Sequence, residues 1–158
     1  MVRDAHVVRL VERIGEHYRV NISNRFIRPS LLTLPLEKQA WDQIETLTEK
    51  IEQYRYQGFH MDDLYRQIVA AARFVSLIRR DLAPTLRTRI SGGANNPDKV
   101  LRDMAVNNFG SNLKVFADLI NELYITLVEM DKENSKGRRP LYMSIPELTD
   151  VGRMLVGS

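Results

Sequence analysis

The stretch PLEKQAWDQIETLTEKIEQYRYQG, residues 35–58, indicates the fold class most clearly. Its apolar residues recur at alternating steps of four and three, which places them on one face of an α-helix; they are Ala40, Ile44, Leu47, Ile51 and Tyr54. Pro35 is tolerated in the first helical turn, and Gly58 is a typical residue at a helix end. The pattern predicts an amphipathic helix that packs against other helices.

Two other stretches have wider apolar faces, which is typical of helices at the centre of a bundle. They are HMDDLYRQIVAAARFVSLIRRDLAP, residues 60–84, and SNLKVFADLINELYITLVEMDKEN, residues 111–134. Asn96 and Pro97 predict the start of a short helix before the second of these, and Gly110 is predicted to separate the two. Residues 36–134 are therefore expected to form the bundle core.

The two ends of the sequence extend this helical interpretation. Residues 1–20 predict an N-terminal helix with a stripe of Val7, Val11, Ile14 and Tyr18. Residues 21–35 lose the helical period and predict an extended leucine- and proline-rich segment. Residues 135–158 predict a basic turn and a closing helix, for which Ser144 and Glu147 have the spacing of a capping box. We expect a single all-α domain, residues 1–158, built as a bundle of five to six helices.

Composition limits the chemistry that the chain supports. The sequence has no cysteine, which excludes disulfide scaffolds, thiolate metal sites and thiol nucleophiles. No apolar run approaches the roughly 20 residues of a spanning helix, and the N-terminal residues lack the apolar core of a secretory signal. We therefore expect a cytoplasmic protein without a membrane partner. The net charge of +3 comes from 23 basic and 20 acidic residues, and it is compatible with an anionic partner.

The acidic residues do not combine into a metal-binding pattern. Glu45, Glu49 and Glu52 share one helix face, and Asp118, Glu122 and Glu129 share another, but both stripes point about 150° away from the apolar faces. Glu49 and Glu52 form an E-x-x-E pair, a fragment of the pattern of all-α nucleotide pyrophosphohydrolases, without the second acidic pair on the next helix. His6, His17 and His60 lack the spacing of helical metal sites. We expect no catalytic residue, metal or cofactor.

The stretch RTRISGGANNPDKVLRD, residues 87–103, permits two interpretations. Its arginines and the following helix N-terminus form a candidate anion-binding site, for which the candidate residues are Arg87, Arg89, Lys99 and Arg102. Glycine, asparagine and proline are also the ordinary residues of a hinge between helices, and this is the favoured interpretation. A second basic cluster, Lys136, Arg138 and Arg139, matters for an anionic partner if the fold brings the clusters together.

Three functional hypotheses follow. The first is a non-enzymatic helical module that binds protein and self-associates, most simply as a homodimer, through the stripe of Val7, Val11, Ile14 and Tyr18 or through Ile44, Leu47 and Ile51. The second is a phosphate- or nucleic-acid-binding domain that uses the basic region 79–102. The third is a metal-dependent nucleotide phosphohydrolase.

Overall fold

The computed structural model describes residues 2–23, 34–77, 79 and 98–156, with the side chains of residues 4–20, 38–77, 79 and 112–156. It is all-α, as the sequence predicts. Five α-helices occupy the described chain: α1 (Val2–Ser23), α2 (Leu34–Gln57), α3 (Met61–Leu77), α4 (Asp98–Ser135) and α5 (Val151–Val156). Two 3₁₀ turns, Leu141–Ser144 and Pro146–Asp150, lie between α4 and α5.

Helices α1 to α4 form an up-down-up-down bundle. The α1–α2 pair is antiparallel, because Glu12 contacts Arg55 while Arg19, further along α1, donates a hydrogen bond of 2.9 Å to Thr48, earlier in α2. The α3–α4 pair shows the same reversal. There the Tyr65 hydroxyl reaches Asp131, while Phe74, further along α3, packs on Phe116 with ring centroids 6.3 Å apart.

Polar contacts join α2 to α3 on the side of the bundle opposite the α1–α4 contact. Lys50 Nζ donates to both carboxylate oxygens of Asp63, at 2.7 and 2.9 Å, and the Tyr54 hydroxyl donates to the same carboxylate at 2.7 Å. The Gln43 side-chain amide lies 2.5 Å from that of Gln67. These contacts close the ring of four helices.

Helix α1 is part of the central core of its own chain. Its predicted stripe is almost completely inaccessible to solvent, and it packs against α2 and α4. The Tyr18 ring contacts both Phe74 and Phe116, with centroids 4.9 and 4.6 Å away. The residues that the sequence suggests for self-association are thus placed as follows: Val7, Val11, Ile14, Tyr18, Ile44 and Leu47 are buried in this core, and Ile51 is partly buried against it.

Helices α3 and α4 have the wide apolar faces predicted for central helices. The buried residues of α3 are Leu64, Tyr65, Ile68, Val69, Ala71, Ala72, Phe74 and Val75. Those on α4 include Leu113, Phe116, Ala117, Leu119, Ile120, Leu123 and Leu127. Together with α1 and α2 they form one continuous core.

The predicted break at Gly110 is wrong. Helix α4 runs without interruption for 38 residues through this glycine. A glycine inside a helix costs only about 1 kcal/mol relative to alanine. The residues that follow it bury a long apolar face in the core, and this burial outweighs so small a penalty.

The prediction of an extended segment over residues 21–35 is wrong at both ends, residues 21–23 and 34–35. Helix α1 continues to Ser23 and α2 already begins at Leu34, while residues 24–33 lie outside the described part of the chain. Pro35 falls within the first turn of α2, where a missing backbone N–H is tolerated. The loss of apolar periodicity therefore marks the segment imprecisely, because terminal helical turns need no apolar stripe.

The closing segment packs along α3 and α4. Leu148, Val151 and Leu155 are its buried anchors, and the Arg79 guanidinium donates a hydrogen bond to the Leu155 carbonyl at the end of α5. The expected capping box at Ser144 does not form. The residue that precedes the second 3₁₀ turn is Ile145, without a side-chain cap, because the chain here is fixed by its apolar anchors.

None of the helices in the described part of the chain is both long enough and apolar enough to span a lipid bilayer.

Candidate functional site

A buried carboxylate organises the chain at the C-terminal end of α4. Asp131 is only 5 % exposed. It accepts a hydrogen bond of 2.8 Å from the Tyr65 hydroxyl, and its two oxygens accept the backbone N–H groups of Leu141 at 3.0 Å and Tyr142 at 2.8 Å. A buried charge needs such partners to offset its lost hydration. Asp131 therefore ties the first 3₁₀ turn to the bundle.

The Tyr65 hydroxyl is a permanent donor in this arrangement. Burial, and then the hydrogen bond to Asp131, raise the pKa of Tyr65 well above its usual range. The phenol consequently stays protonated at any physiological pH. Its oxygen also lies 3.2 Å from the Leu127 carbonyl, so α3 is fixed to the last turns of α4.

A tight turn after α4 then presents the second basic cluster. Lys136 and Gly137 both have positive φ values, 48° and 86°, and the Arg138 N–H donates to the Ser135 carbonyl at 2.9 Å. This reversal is a common way to end a helix. It leaves Lys136, Arg138 and Arg139 exposed, and the Arg139 guanidinium donates to the Met143 carbonyl at 3.1 Å.

Two clefts open around this turn. The first, here called the turn cleft, has a volume of about 600 Å³ and is lined by Asp131, Asn134, Ser135, Lys136, Arg138, Arg139, Leu141 and Ser144. The second, here called the α3 cleft, has a volume of about 480 Å³ and is lined by Arg66, Val69, Ala70, Arg73, Ser144, Ile145, Pro146 and Glu147. Ser144 belongs to both, so the clefts adjoin.

The combined lining is strongly basic. Its described residues include five cations, which we call the basic corner, namely Arg66, Arg73, Lys136, Arg138 and Arg139, against two acids, Asp131 and Glu147. The Asp131 carboxylate already accepts three hydrogen bonds. Among the described residues, no ion pair or hydrogen bond engages the side chains of Arg66, Arg73, Lys136 or Arg138. The positive potential at this surface is therefore largely uncompensated.

Apolar side chains lie beside these charges. Leu141 and Met143, in the first 3₁₀ turn, are 37 % and 51 % exposed. Both follow the basic turn directly, and Leu141 lines the turn cleft. The basic corner thus combines charge with apolar surface.

The sequence-based anion site falls mostly outside the described residues. Arg87 and Arg89 lie outside them altogether. Lys99 and Arg102 are residues of α4, but only their backbone is described and their side chains are not. Anion binding by these four residues, like the hinge interpretation, stays a prediction. Of the side chains in region 79–102, the structure describes that of Arg79, which donates to the Leu155 carbonyl at the end of α5.

Sequence reasoning missed Arg66 and Arg73 as members of a basic site. They are seven residues apart on α3, which places them on the same helix face. That spacing is visible in the sequence. Their proximity to a turn about 65 residues further along the chain follows only from the packing of the closing segment against α3.

The carboxylate stripes are exposed, as predicted. Glu45, Glu49 and Glu52 on α2 face solvent, as do Asp118, Glu122 and Glu129 on α4. Two of these residues meet a basic neighbour: Glu52 contacts Arg55 at 2.9 Å, and Glu122 lies 3.5 Å from His6. Within the described residues, no group of three or more acidic or histidine side chains converges as metal ligands would.

A further cleft, of about 500 Å³, lies between α1 and the end of α2. Its charged lining residues balance, because Asp4 and Glu12 are matched by Arg9 and Arg55, and Arg55 contacts Glu12 directly. This cleft lacks the one-sided charge of the basic corner.

Comparison of the chain with protein-family models, with curated proteins and with solved structures gave no match.

Proposed function

We propose that the protein is a non-enzymatic helical interaction module that binds an acidic segment of a partner protein through the basic corner. The observation that carries this proposal is the convergence of five basic side chains, from α3 and from the turn after α4, around two adjoining clefts. An uncompensated positive surface attracts and orients a partner of opposite charge.

The neighbouring apolar side chains favour a protein partner over a nucleic acid. Arginine and methionine are enriched in protein interfaces, and exposed Leu141 and Met143 offer contacts to apolar side chains that a sugar-phosphate backbone lacks. Nucleic-acid binding by a basic surface draws mainly on phosphate contacts. A nucleic-acid-binding domain is therefore the alternative that the experiment must distinguish.

The test compares two labelled probes by fluorescence anisotropy at low and at high ionic strength. One is a peptide of interspersed glutamate and leucine residues, and the other is a single-stranded oligouridylate of equal charge. We expect the peptide to bind more tightly, with an affinity that falls as salt screens the charges. The variant Lys136→Gln/Arg138→Gln should bind the peptide several-fold more weakly.

A matched control changes the same net charge elsewhere. Lys38→Gln/Lys114→Gln alters two exposed lysines that line neither cleft, and it should retain peptide affinity. Equal losses in both double variants would indicate a non-specific charge effect. Tighter binding of the oligouridylate would overturn the proposal in favour of a nucleic-acid partner.

Self-association is a second part of this proposal. The stripe of α1 packs against α2 and α4, and the same contacts would form if α1 came from a second copy. Exchange of this helix would therefore produce a homodimer without any new buried surface. The proposal retains the cytoplasmic location expected from the sequence.

A further inference from the structure

We propose that the α3 cleft selects the partner, and that its occupant is an acidic amphipathic helix of a partner protein. The acidic side chains of this partner helix lie seven residues apart and flank an apolar residue. This inference rests on the proposed function and adds the form of the bound segment. It is argued from the arrangement of charge and apolar surface along α3.

The exposed face of α3 at this cleft has a regular order. Arg66, Val69, Ala70 and Arg73 follow the spacing that places side chains on one face of a helix. Val69 is buried and Ala70 is partly buried, so both form the floor, whereas Arg66 and Arg73 are exposed at the two ends. The cleft is therefore an apolar floor between two cations.

The opposite wall is different in charge. It is formed by the segment Ser144–Glu147, in which Ile145 packs against the core and Glu147 is exposed. A partner carboxylate is attracted by the arginines on the α3 side and repelled by Glu147 on the other. This polarity fixes which side of a bound segment faces α3.

A helical occupant matches the spacing of the two arginines. Their backbone positions are separated by about 10.5 Å along the helix axis, since each residue advances by about 1.5 Å. Two acidic residues seven apart on a second helix match this separation and lie on one face. An apolar residue three or four positions after the first then meets the floor at Val69 and Ala70.

The test uses two helical peptides of identical composition. In the first, two glutamates are seven residues apart with a leucine between them on the same face. In the second, the glutamates are five residues apart and so lie on different faces. We expect the protein to bind the first peptide about two- to fivefold more tightly in fluorescence anisotropy, because only this peptide engages both arginines.

Two double variants locate the preference. Arg66→Gln/Arg73→Gln should abolish the difference between the peptides, whereas Lys136→Gln/Arg138→Gln should weaken both peptides by the same factor. Circular dichroism confirms that the variants, all at exposed positions, keep the helical fold. A preference that persists in Arg66→Gln/Arg73→Gln would overturn the inference.

The remaining outcomes separate this inference from the proposed function. If the protein binds both peptides equally and binding still depends on Lys136 and Arg138, the proposed function stands and the α3 cleft does not select the partner. If neither peptide binds at low ionic strength, the proposed function fails and the inference fails with it. This conclusion holds whether or not the oligouridylate binds.

Discussion

Asp131 supports the part of the basic corner that follows α4, because its carboxylate joins α4, α3 and the first 3₁₀ turn. Its partners are the Tyr65 hydroxyl and the N–H groups of Leu141 and Tyr142. The lysine and arginines that precede this turn are positioned by it, although Asp131 itself is buried. A single residue inside the protein thus supports a surface formed by several others.

Replacing Asp131 by alanine should lower the free energy of unfolding by about 2–4 kcal/mol, because three donors lose an acceptor that is only 5 % exposed. Urea denaturation measures this loss. Glu129→Ala, two residues earlier on the exposed face of the same helix, is the control and should change stability by no more than about 0.5 kcal/mol. Similar losses in the two variants would contradict the role assigned to Asp131.

Asp63 should give the protein a distinct acid sensitivity. Burial by itself raises the pKa of Asp63, but hydrogen bonds from Lys50 and Tyr54 outweigh it and lower the pKa below its ordinary value of 3.8. A carboxylate with a lowered pKa in the folded state stabilises the protein above the unfolded-state value, and this stabilisation is lost as the pH falls through the folded-state value.

We therefore expect the free energy of unfolding to decrease as the pH falls below about 4, and to decrease less steeply in Asp63→Asn. Urea denaturation at a series of pH values measures both slopes. Asp62→Asn makes the same change at the adjacent, exposed residue and serves as the control. Identical pH profiles for Asp63→Asn and the unmodified protein would show that the contacts of Asp63 with Lys50 and Tyr54 do not contribute to the acid sensitivity.

At the scale of the elements, apolar periodicity predicts the helices well and their interruptions poorly. The stripes of α1 and α2 and the wide faces of α3 and α4 are visible in the sequence because burial on one side requires them. The predicted break at Gly110 is wrong, since a local preference of about 1 kcal/mol does not reveal the tertiary packing that overrides it. The closing segment is too short to show a helical period, so its apolar pattern in the sequence does not predict the 3₁₀ turns.

Gly15 offers a direct test of helix propensity in α1. Apart from the adjacent residues and the backbone of its own helix, a methyl group added at this position meets no atom within 4 Å. Gly15→Ala should therefore raise the free energy of unfolding by about 0.5–1 kcal/mol, by reducing the entropy of the unfolded chain. Thermal or urea denaturation provides the measurement.

Gly137→Ala is the matched counterpart, because this glycine also has open space around it but adopts a φ of 86°. An L-residue is strained in that conformation, so this substitution should lower stability by about 1–2 kcal/mol. The prediction is that the two substitutions change the free energy of unfolding in opposite directions. If both variants are stabilised, the turn after α4 does not require its left-handed backbone.

At the scale of the whole molecule, the basic corner shows what a linear sequence conceals. The sequence identifies Lys136, Arg138 and Arg139 as a cluster, because they are adjacent. It gives no indication that α3 supplies Arg66 and Arg73 to the same surface, since this depends on how the closing segment lies along the bundle. Long-range juxtaposition is the part of the site that periodicity and local charge cannot predict.

The predicted homodimer can be tested by light scattering coupled to size-exclusion chromatography. One chain has a mass of 18.3 kDa, so a dimer has twice that mass. We expect the dimer at micromolar concentrations, and the mass of a single chain would contradict the prediction. Truncation of α1 is not a clean test of the route, because its stripe fills the core of the folded chain.

Cross-linking distinguishes the routes to a dimer. Arg19 on α1 and Thr48 on α2 are exposed and joined by a hydrogen bond of 2.9 Å, and the chain has no natural cysteine. In Arg19→Cys/Thr48→Cys, a short bismaleimide should link two chains covalently if α1 is exchanged. Linkage within one chain, in a protein that is dimeric by light scattering, would instead show that the copies meet through another surface. Each single-cysteine variant is the control.

The antiparallel contact between α1 and α4 also determines when α1 can complete its packing during biosynthesis. Tyr18 packs on Phe116, so α1 meets α4 only after about a hundred further residues have been translated. At about 5–20 residues per second, this interval lasts about 5–20 s. During this interval, α2 is the first helix of the nascent chain against which the apolar stripe of α1 can pack. Neighbouring ribosomes on one messenger RNA would bring a second unfinished copy close, so if the proposed exchange of α1 occurs, we expect it to begin during translation.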